Sequence, residues 1–382
     1  MKPIGIDTSS STILNMTRRI MHIDFDYFFA QCEEIRRPEL RDRPIVICVF
    51  SGRTQDSGVV STANYMARKF GVKSGIPIRV AKSRLAAVSG AVFMPLDAAY
   101  YSRVSEDAMS VIRSYGGAFE CLGIDECYID VSDRTDDFQA ARILAQHIKE
   151  DLKRQIQLRC SIGVASNKIL TKMASDMNKP DGLTVIEPSN AIKFIANMEV
   201  VKIPGVGAKT RETLRELGVK TIGDLAKFDL FRLIDCFGKK RAIYMHNAAN
   251  GIDNDPVIEF GGKQRIMRIA TLKRSAVSSA EMNHDLYVLC RSLFKRASER
   301  KLSFKTVGVI LILDNLDSVT KSRSLKMHST NFESLHSTAK STLDEVMKET
   351  GSIKVRRLGL VLSDLQSSVG QNTMFDFMSL SG

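Results

Sequence analysis

Two neighbouring carboxylates, Asp125 and Glu126, lie between two short apolar runs, residues 119–124 and 127–131. Runs rich in Ile, Val, Phe and Tyr predict strands, so the acidic pair falls where one strand ends and the next begins. Adjacent carboxylates repel each other unless a cation lies between them. Divalent ions such as Mg²⁺ bind one or two carboxylates and leave room for substrate phosphates. The pair therefore predicts metal-dependent phosphate chemistry, with a solvated acidic hairpin turn as the alternative for this stretch alone.

A second apolar run, residues 19–26, also ends in carboxylates, the first of which is Asp24. Apolar residues keep helical spacing in 136–156, and 100–114 also reads as a helix, whereas residues 158–164 alternate with the period of a strand. The order strand, helix, strand, strand, helix, strand is the ferredoxin-like pattern.

The ferredoxin-like pattern makes a prediction about the carboxylates. Its first and second strands run parallel, so the end of the first strand and the turn between the second and third lie on one edge. We therefore expect Asp24 to meet Asp125 and Glu126 there. Three convergent carboxylates predict a two-metal site suited to nucleotidyl transfer.

The composition limits the class of protein. A chain of 382 residues predicts a few domains, and its net charge of +12 favours a polyanionic partner. No apolar run is long enough to span a bilayer, and residues 1–17 form a polar, loose extension without a secretory signal. The seven cysteines lack C-x-x-C spacing, which predicts mostly buried, reduced thiols in an intracellular protein and no zinc site.

The segment 28–93 is interpreted as an insertion after the first strand. The helix predicted to start just after Asp24 offers backbone N–H groups to phosphate. A further helix, predicted over residues 62–72, places Tyr65 and Arg68 on one face, where they could grip a triphosphate. Taken alone, such a Tyr/Arg pair is as well explained as ordinary helix surface.

Several motifs in order resemble those of Y-family translesion DNA polymerases, in the DinB or DNA polymerase IV branch with archaeal character. The resemblance covers about residues 19–365, nearly the whole chain. The motifs that carry it lie at residues 24–28, 63–68, 75–77, 124–130, 167–176 and 179–182.

The resemblance implies an α+β multidomain fold, a right-hand polymerase whose ferredoxin-like palm is interrupted by inserted fingers. A helical thumb with a helix-hairpin-helix and a C-terminal α+β little finger would follow. The implied boundaries are 18–27 and 94–186 for the palm, 28–93 for the fingers, 187–252 for the thumb, 253–263 for a linker, 264–365 for the little finger and 366–382 for a flexible tail.

The resemblance also implies residue roles. Two Mg²⁺ ions, for which Mn²⁺ can substitute, would be held by Asp24, Asp125 and Glu126 with the carbonyl of Phe25. Phe29 would be the steric gate that excludes the 2′-OH of a ribonucleotide. The residues expected to contact the nucleotide are Tyr27, Phe28, Phe29, Tyr65, Arg68 and Lys179.

Two departures from the family pattern concern this site. Gly123 stands where the family usually has Ser, which predicts the loss of one hydroxyl near the primer end while the metal ligands remain. Phe29 stands where many relatives have Tyr, and its bulk still predicts exclusion of a 2′-OH.

The C-terminal half predicts a nucleic-acid partner. Gly205, Gly207 and Lys209 lie in a Pro-Gly-x-Gly hairpin that opens a helix, a phosphate-binding arrangement for which an ordinary helix turn is the alternative. Residues 264–365 hold 18 Lys and Arg against 10 Asp and Glu, an excess that favours duplex DNA over a merely solvated face.

The tail resembles a clamp-binding motif of the PIP-box type, formed by Gln371, Met374, Phe377 and Met378 after a polar spacer. Residues three apart share a helical face and can dock together in an apolar groove. This implies a PCNA-type sliding clamp as partner, and a frayed C-terminus is the alternative.

The sequence therefore predicts an active, low-fidelity translesion DNA polymerase without a proofreading region. Its partners would be primer-template DNA, deoxyribonucleoside triphosphates and the clamp, and it would act as a cytoplasmic, DNA-associated monomer with no membrane partner. A non-catalytic DNA-binding or clamp-adaptor protein is the alternative, and a cyclase with the same carboxylate core is a weaker third.

Overall fold

The computed structural model describes residues 17–259, 265–351 and 353–368. The predicted clamp-binding residues and nearly all of the predicted N-terminal extension lie outside this part of the chain. No helix among the described residues is both long and apolar enough to cross a bilayer. The described residues form two compact units, the first from 17–48, Val60–Ile76 and 80–259 and the second from Val49–Val59, Pro77–Arg79 and the described residues after 264.

The strands and helices have the following bounds. The strands are β1 (Ile20–Phe25), β2 (Ile45–Phe50), β3 (Gly58–Ala63), β4 (Val92–Pro95), β5 (Ala118–Cys121), β6 (Glu126–Asp130), β7 (Cys160–Ala165), β8 (Leu183–Val185), β9 (Ile266–Ala276), β10 (Leu302–Leu313), β11 (Ser318–Ser329) and β12 (Val355–Ser367). The helices are α1 (Phe28–Arg36), α2 (Tyr65–Arg68), α3 (Ile78–Arg84), α4 (Ala98–Arg113), α5 (Phe138–Ile156), α6 (Lys168–Ser175), α7 (Ala191–Ala196), α8 (Ala208–Glu216), α9 (Ile222–Lys227), α10 (Leu230–Phe237), α11 (Lys239–Ala249), α12 (Ser279–Glu299) and α13 (Phe332–Thr350).

The centre of the first unit is a five-stranded sheet in the order β5-β6-β1-β7-β8. β1 pairs antiparallel with β6 and β7, and β5 pairs antiparallel with β6, so β1 and β5 run parallel. This confirms the ferredoxin-like prediction. A fifth strand, β8, was not predicted from the sequence and pairs parallel with β7.

Both faces of this sheet are covered by helices. Because strand side chains alternate between faces, Ile23 of β1 packs in one core cluster with Ile112 of α4 and Ile148 of α5. His22 points to the other face, where its ring contacts Ser175 at the end of α6. Asp24 therefore shares the α6 face of β1.

Close approach of α6 to the sheet requires a glycine in β7. A Cβ atom on Gly163 would lie 2.1 Å from the Thr171 carbonyl oxygen and 2.5 Å from the Ser175 nitrogen. Such distances are far inside van der Waals contact, so any side chain at this position would push α6 outward. The glycine thus fixes the position of α6 relative to the carboxyl-bearing strand.

The inserted segment contains the sheet β3-β2-β4, in which β2 and β4 are parallel, and its helical prediction needs one correction. The helix predicted over residues 62–72 is wrong at both ends, because β3 continues to Ala63 and α2 is a single turn. The cause is Asn64, whose side-chain oxygen accepts hydrogen bonds from the backbone N–H groups of Ile45 and Ala67. This cap ends the strand and starts the turn.

Residues 187–252 are helical, as predicted, with a core that includes Ile195, Leu214, Leu225 and Met245. The described part of the predicted linker is fastened to the first unit. Val257 is buried with Ile20 and Tyr128, and the backbone oxygen of Asp253 accepts a 2.7 Å hydrogen bond from Arg18.

In the second unit a four-stranded antiparallel sheet in the order β11-β10-β12-β9 packs against α12 and α13. The core alternates along the strands, with Val307, Val309 and Leu311 buried from β10. Leu286 and Leu343 contribute from the two helices. This confirms the α+β fold predicted for residues 264–365.

Candidate active site

The backbone brings the predicted carboxylates to one edge of the first sheet. Asp24 on β1 is the direct partner of Glu126 on β6, and the Phe25 N–H donates a 2.8 Å hydrogen bond to the carbonyl oxygen of Asp125. We call Asp24, Asp125 and Glu126 the carboxylate edge.

Two of these carboxylates are neutralised by lysine side chains. Asp24 Oδ2 lies 2.8 Å from Lys179 Nζ, which also lies 2.8 Å from Asp176 Oδ1. Glu126 Oε2 is ion-paired with Lys172 and lies 3.3 Å from His22 Nε2. The hydrogen bond to His22, together with Lys172, lowers the pKa of Glu126 to about 2 against the opposing effect of burial.

The surroundings of the third carboxylate, Asp125, destabilise its charged form. Burial, and then the negative charges of Asp24 and Glu126, raise the pKa of Asp125 above its ordinary value. A group whose charged form is destabilised by like charges is stabilised when a cation enters. The electrostatics therefore favour a cation beside Asp125.

The residues fit a hard divalent metal. The carboxylate edge offers carboxylate oxygens, which are the kind of donor that Mg²⁺ prefers. Within the described ranges, no group of three or more His, Cys, Asp and Glu is already gathered as a metal-binding cluster. Instead, the ammonium group of Lys179 provides positive charge at Asp24.

A cavity of about 210 Å³ opens beside Asp24 and Asp125. Glu126 is not among its lining residues. All the residues that the sequence analysis expected to contact nucleotide line it, namely Tyr27, Phe28, Phe29, Tyr65, Arg68 and Lys179. Three hydroxyl residues that the sequence analysis missed, Ser61, Thr62 and Ser74, line it as well. Ser61 and Thr62 could have been found from the sequence, because they directly precede the motif at 63–68.

The loop that carries Lys179 is fastened by residues that the sequence analysis did not assign to the site. Asp26 is buried and accepts hydrogen bonds from the Ser161 hydroxyl at 2.9 Å and from the Asp181 N–H at 2.7 Å. Lys149 Nζ donates to the Asp181 carbonyl at 2.6 Å and pairs with its carboxylate at 2.8 Å. These contacts hold the loop beside β1.

The opposite wall of the cavity is cationic and aromatic. Arg68 Nε donates a 2.8 Å hydrogen bond to the Ala63 carbonyl, and its guanidinium lies 4.9 Å from the centre of the Tyr65 ring. The Tyr65 ring meets the Tyr27 ring edge to face at 5.4 Å. The two walls thus present a guanidinium and an ammonium to one space, as a triphosphate requires.

Phe29 forms part of this cavity from the first turn of α1. Its ring stacks on the ring of Tyr101 at 4.8 Å with an interplanar angle of 16°. Tyr101 is fully buried, and its hydroxyl donates a 2.9 Å hydrogen bond to Glu33. The Phe29 ring is therefore backed by a rigid partner.

Gly123, in the turn before the carboxylate edge, has room for a side chain. A Cβ atom built there would lie 3.6 Å from Asp125 Oδ1, which is ordinary van der Waals contact. The serine that the family usually has at this position would therefore fit without displacing its neighbours.

The predicted phosphate-binding hairpin lies between the short turn Val200–Lys202 and α8. Gly205 has a φ of +81°, a left-handed conformation that favours glycine, and Gly207 is the residue from which α8 begins. The Tyr244 hydroxyl donates a 2.7 Å hydrogen bond to the Pro204 carbonyl, and Lys209 is exposed. The hairpin is formed by the helical region and contributes nothing to the cavity lining.

The thiol prediction is confirmed in part by side-chain burial. All seven cysteines are free, and Cys32, Cys48, Cys127, Cys160 and Cys290 are buried. Cys121 and Cys236 are exposed.

Comparisons with known proteins agree along nearly the whole chain. Residues 23–176 match the impB/mucB/samB family, residues 201–253 match the DNA polymerase-iota thumb domain, and residues 263–374 match the impB/mucB/samB family C-terminal domain. The chain is 41% identical to DNA polymerase IV of Nitrosopumilus maritimus, covering 94% of this chain and 99% of that one. It is 39% identical to DNA polymerase IV 1 of Methanosarcina mazei, with 95% and 100% coverage.

Solved structures give the same answer. A Y-family DNA polymerase chimera of Dbh and Dpo4 is similar with a TM-score of 0.85 at 30% identity, covering 91% of this chain and 99% of that one. The insertion ternary complex of Dbh DNA polymerase has a TM-score of 0.69 at 30% identity, with the same coverage. The chain thus belongs to the impB/mucB/samB family, the Y family of DNA polymerases.

Proposed function

We propose that this chain is a translesion DNA polymerase that adds deoxyribonucleotides to a primer 3′-OH at the carboxylate edge. The observation that carries the proposal is the pairing of Asp24 with Glu126 at the sheet edge, beside a cavity lined by Arg68 and Lys179. Family membership supports the activity, since relatives of nearly full coverage are named DNA polymerase IV.

The carboxylate edge is the proposed holder of two divalent metal ions, with the Phe25 carbonyl as a further ligand. Family members are metal-dependent nucleotidyltransferases, and we propose Mg²⁺ as the ion, with Mn²⁺ able to substitute. When bound, such ions stabilise the attacking and leaving oxygens of an in-line displacement. The pKa of Asp125, raised by burial and by its acidic neighbours, supports a site that is completed by added positive charge.

The cationic residues of the cavity are the proposed triphosphate contacts. Lys179 is held on Asp24 at 2.8 Å, and its ammonium can turn to a phosphate once the carboxylate has another cation. Arg68 and Tyr65 face it from α2, while the first N–H groups of α1, near Tyr27 and Phe28, supply backbone donors.

Phe29 is the proposed gate against ribonucleotides. Its ring lines the cavity and cannot retreat freely, because the Tyr101 ring stacks on it. A ring fixed beside the sugar excludes a 2′-OH by bulk, without the hydroxyl that many relatives carry.

The remaining regions are proposed to hold DNA. Residues 18–27 and 94–186 would form the palm, 28–93 the fingers, 187–252 the thumb and 264–365 the little finger. The hairpin of Gly205, Gly207 and Lys209 would grip backbone phosphates, and the basic excess of residues 264–365 would neutralise the duplex.

The tail motif, Gln371, Met374, Phe377 and Met378, keeps its proposed role in binding a PCNA-type clamp. Deletion of residues 371–382 should abolish stimulation of primer extension by the clamp and leave basal extension unchanged. We propose that the chain acts as a monomer on DNA in the cytoplasm. Loss of basal extension as well would instead assign the tail a structural role.

Primer extension tests the proposal. Asp125→Ala and Glu126→Ala should each lower extension on the order of 10³-fold, because each removes a metal-holding carboxylate. Undiminished extension by both variants would reject the assigned site. A chain that bound primer-template DNA but never extended it under any condition would support the non-catalytic adaptor instead.

A further inference from the structure

Glu34 on α1 is a nearly buried carboxylate that the proposed reaction does not use. It is 9% exposed, and no lysine or arginine of the described residues lies within ion-pairing distance of it. Burial raises its pKa, and its two hydrogen bonds and the more distant charges of Arg159 and Arg41 offset that effect only in part. The adjacent Glu33, in contrast, is paired with Arg36 and Arg37. An unpaired buried carboxylate is costly to keep, which suggests a role.

One oxygen of Glu34 holds a residue of the nucleotide cavity. The Tyr27 hydroxyl donates a 3.1 Å hydrogen bond to Glu34 Oε2. Tyr27 precedes α1 with φ 39° and ψ 40°, a left-handed conformation that is uncommon for an aromatic residue. The hydrogen bond therefore helps to hold Tyr27 in a conformation that its backbone does not favour.

The other oxygen of Glu34 holds the opposite wall. Asn64 Nδ2 donates to Glu34 Oε1 at 3.2 Å, and the Asn64 oxygen accepts the Ala67 N–H at 3.1 Å to start α2. The helix that begins at this cap carries Tyr65 and Arg68, which line the nucleotide cavity. One carboxylate thus bridges the two walls.

The walls border a second cavity on their far side. This cavity, of about 560 Å³, is lined by Tyr27, Asn64 and Tyr65 together with Glu34 itself. Tyr27 also packs against the core, and its ring meets the Tyr65 ring, so the hydrogen bonds through Glu34 act together with that packing.

We propose that Glu34 is a positioning residue that couples the two walls of the nucleotide cavity. It keeps Tyr27 and the Asn64 cap at a fixed separation, so that Tyr65 and Arg68 meet the triphosphate together with Lys179. Glu34 itself does not touch the nucleotide. The inference rests on the proposed nucleotide role of this cavity.

The test is single-nucleotide insertion by the full chain on primer-template DNA, with KM for the nucleotide and kcat measured separately. Glu34→Gln should raise KM about tenfold and change kcat less than about threefold. The reason is that a neutral amide oxygen is a weaker acceptor for Asn64 than a carboxylate oxygen, and that the amide N–H₂ forces the Tyr27 hydroxyl to accept where it now donates. Glu39→Gln, an exposed carboxylate on the neighbouring turn, is the matched control and should leave both constants unchanged.

A second variant guards against an effect on folding alone. Tyr27→Phe keeps the ring and removes only the hydroxyl that donates to Glu34. It should also raise KM, and the double variant Tyr27→Phe with Glu34→Gln should raise KM by less than the product of the single effects, because both changes act on the contact between Tyr27 and residue 34.

The outcomes distinguish the role of Glu34 from the nucleotide role of the cavity. A lower melting temperature for Glu34→Gln with unchanged KM would make Glu34 merely structural and overturn the inference. Arg68→Ala is the direct test of the nucleotide cavity. If Arg68→Ala raises KM and Glu34→Gln does not, only the role of Glu34 fails; if Arg68→Ala leaves KM unchanged, the nucleotide assignment fails.

Discussion

Charged side chains cluster in both units, but they differ in burial. In the first unit, the side chains of Asp24 and its partner Lys179 are 20% and 23% exposed. In the second unit, Lys321 contacts Glu345 and Glu349 at 2.7 Å and 2.5 Å, and these three side chains are 29%, 39% and 59% exposed. We call Lys321, Arg323, Glu345 and Glu349 the surface network.

The difference in burial gives similar ion pairs different consequences. Water screens the surface network, where pairs of this kind contribute little to stability. At the carboxylate edge, burial raises the pKa of Asp125, whereas the hydrogen bond with His22, together with Lys172, lowers the pKa of Glu126 in spite of its burial. Proximity of acids and bases therefore does not mark a functional site until their burial is known.

Among the changes that compare the two regions, the largest effect should come from removing Lys179, the cation paired with Asp24. Lys179→Met should lower kcat/KM for nucleotide insertion about 100-fold, because a charge-assisted contact to phosphate is lost in a desolvated cavity. Asp176→Asn removes only the more exposed partner of Lys179 and serves as the control. Equal losses in the two variants would mean that Lys179 acts through the fold.

The next largest effect should be a pH-dependent contribution of the buried carboxylate Glu33 to the free energy of unfolding. Despite the opposing effect of burial, Arg37, Arg36 and Tyr101 lower the folded-state pKa of Glu33 below its ordinary 4.5. The stabilisation is thus complete above that value and is lost as the pH falls through the folded-state pKa. Glu33→Gln should lower the free energy of unfolding by about 2 kcal/mol near neutral pH, and by less at about pH 3. Urea unfolding of both proteins at both pH values checks this prediction. An equal loss of unfolding free energy at the two pH values would contradict it.

A smaller effect is expected at the turn before the carboxylate edge. Gly123→Ser adds a hydroxyl within reach of Asp125, whose carboxylate it can hydrogen-bond and so favour in its charged form. Insertion should speed up about twofold with no loss of thermal stability. A lower melting temperature would show that the turn has less room than its 3.6 Å contact indicates.

The smallest effect should come from the surface network. Lys321→Met removes the shared cation of Glu345 and Glu349, yet solvent already screens that charge. We expect no measurable change in the midpoint of thermal unfolding. A clear decrease in that midpoint would mean that the surface network contributes to stability as the buried ion pairs of the first unit do, and the distinction between the two regions would be lost.

The sequence predicted the ferredoxin-like sheet because strand and helix periods are local signals. It also predicted the meeting of Asp24 with Asp125 and Glu126, since topology alone brings them to one edge. It failed at residues 62–72, where the Asn64 cap overrides a run that otherwise favours helix.

The supporting residues could not be predicted from local patterns. Asp26 meets the Asp181 N–H and Glu34 meets Asn64 across long stretches of chain, and only folding brings each pair together. His22 sits in an apolar strand as any core residue would, and its contact with Glu126 follows from strand pairing. Residue types indicated the candidate metal-binding side chains, whereas the residues that position them emerged only from the fold.

The central claim is that the carboxylate edge gathers around divalent metal when nucleotide binds. A crystal structure with primer-template DNA, a non-hydrolysable nucleotide and Mn²⁺ would test it through the anomalous signal of the metal. We expect Mn²⁺ between Asp24, Asp125 and Glu126, with Lys179 moved from Asp24 to a phosphate. Mn²⁺ bound elsewhere, with Lys179 and Lys172 still paired to Asp24 and Glu126, would contradict it.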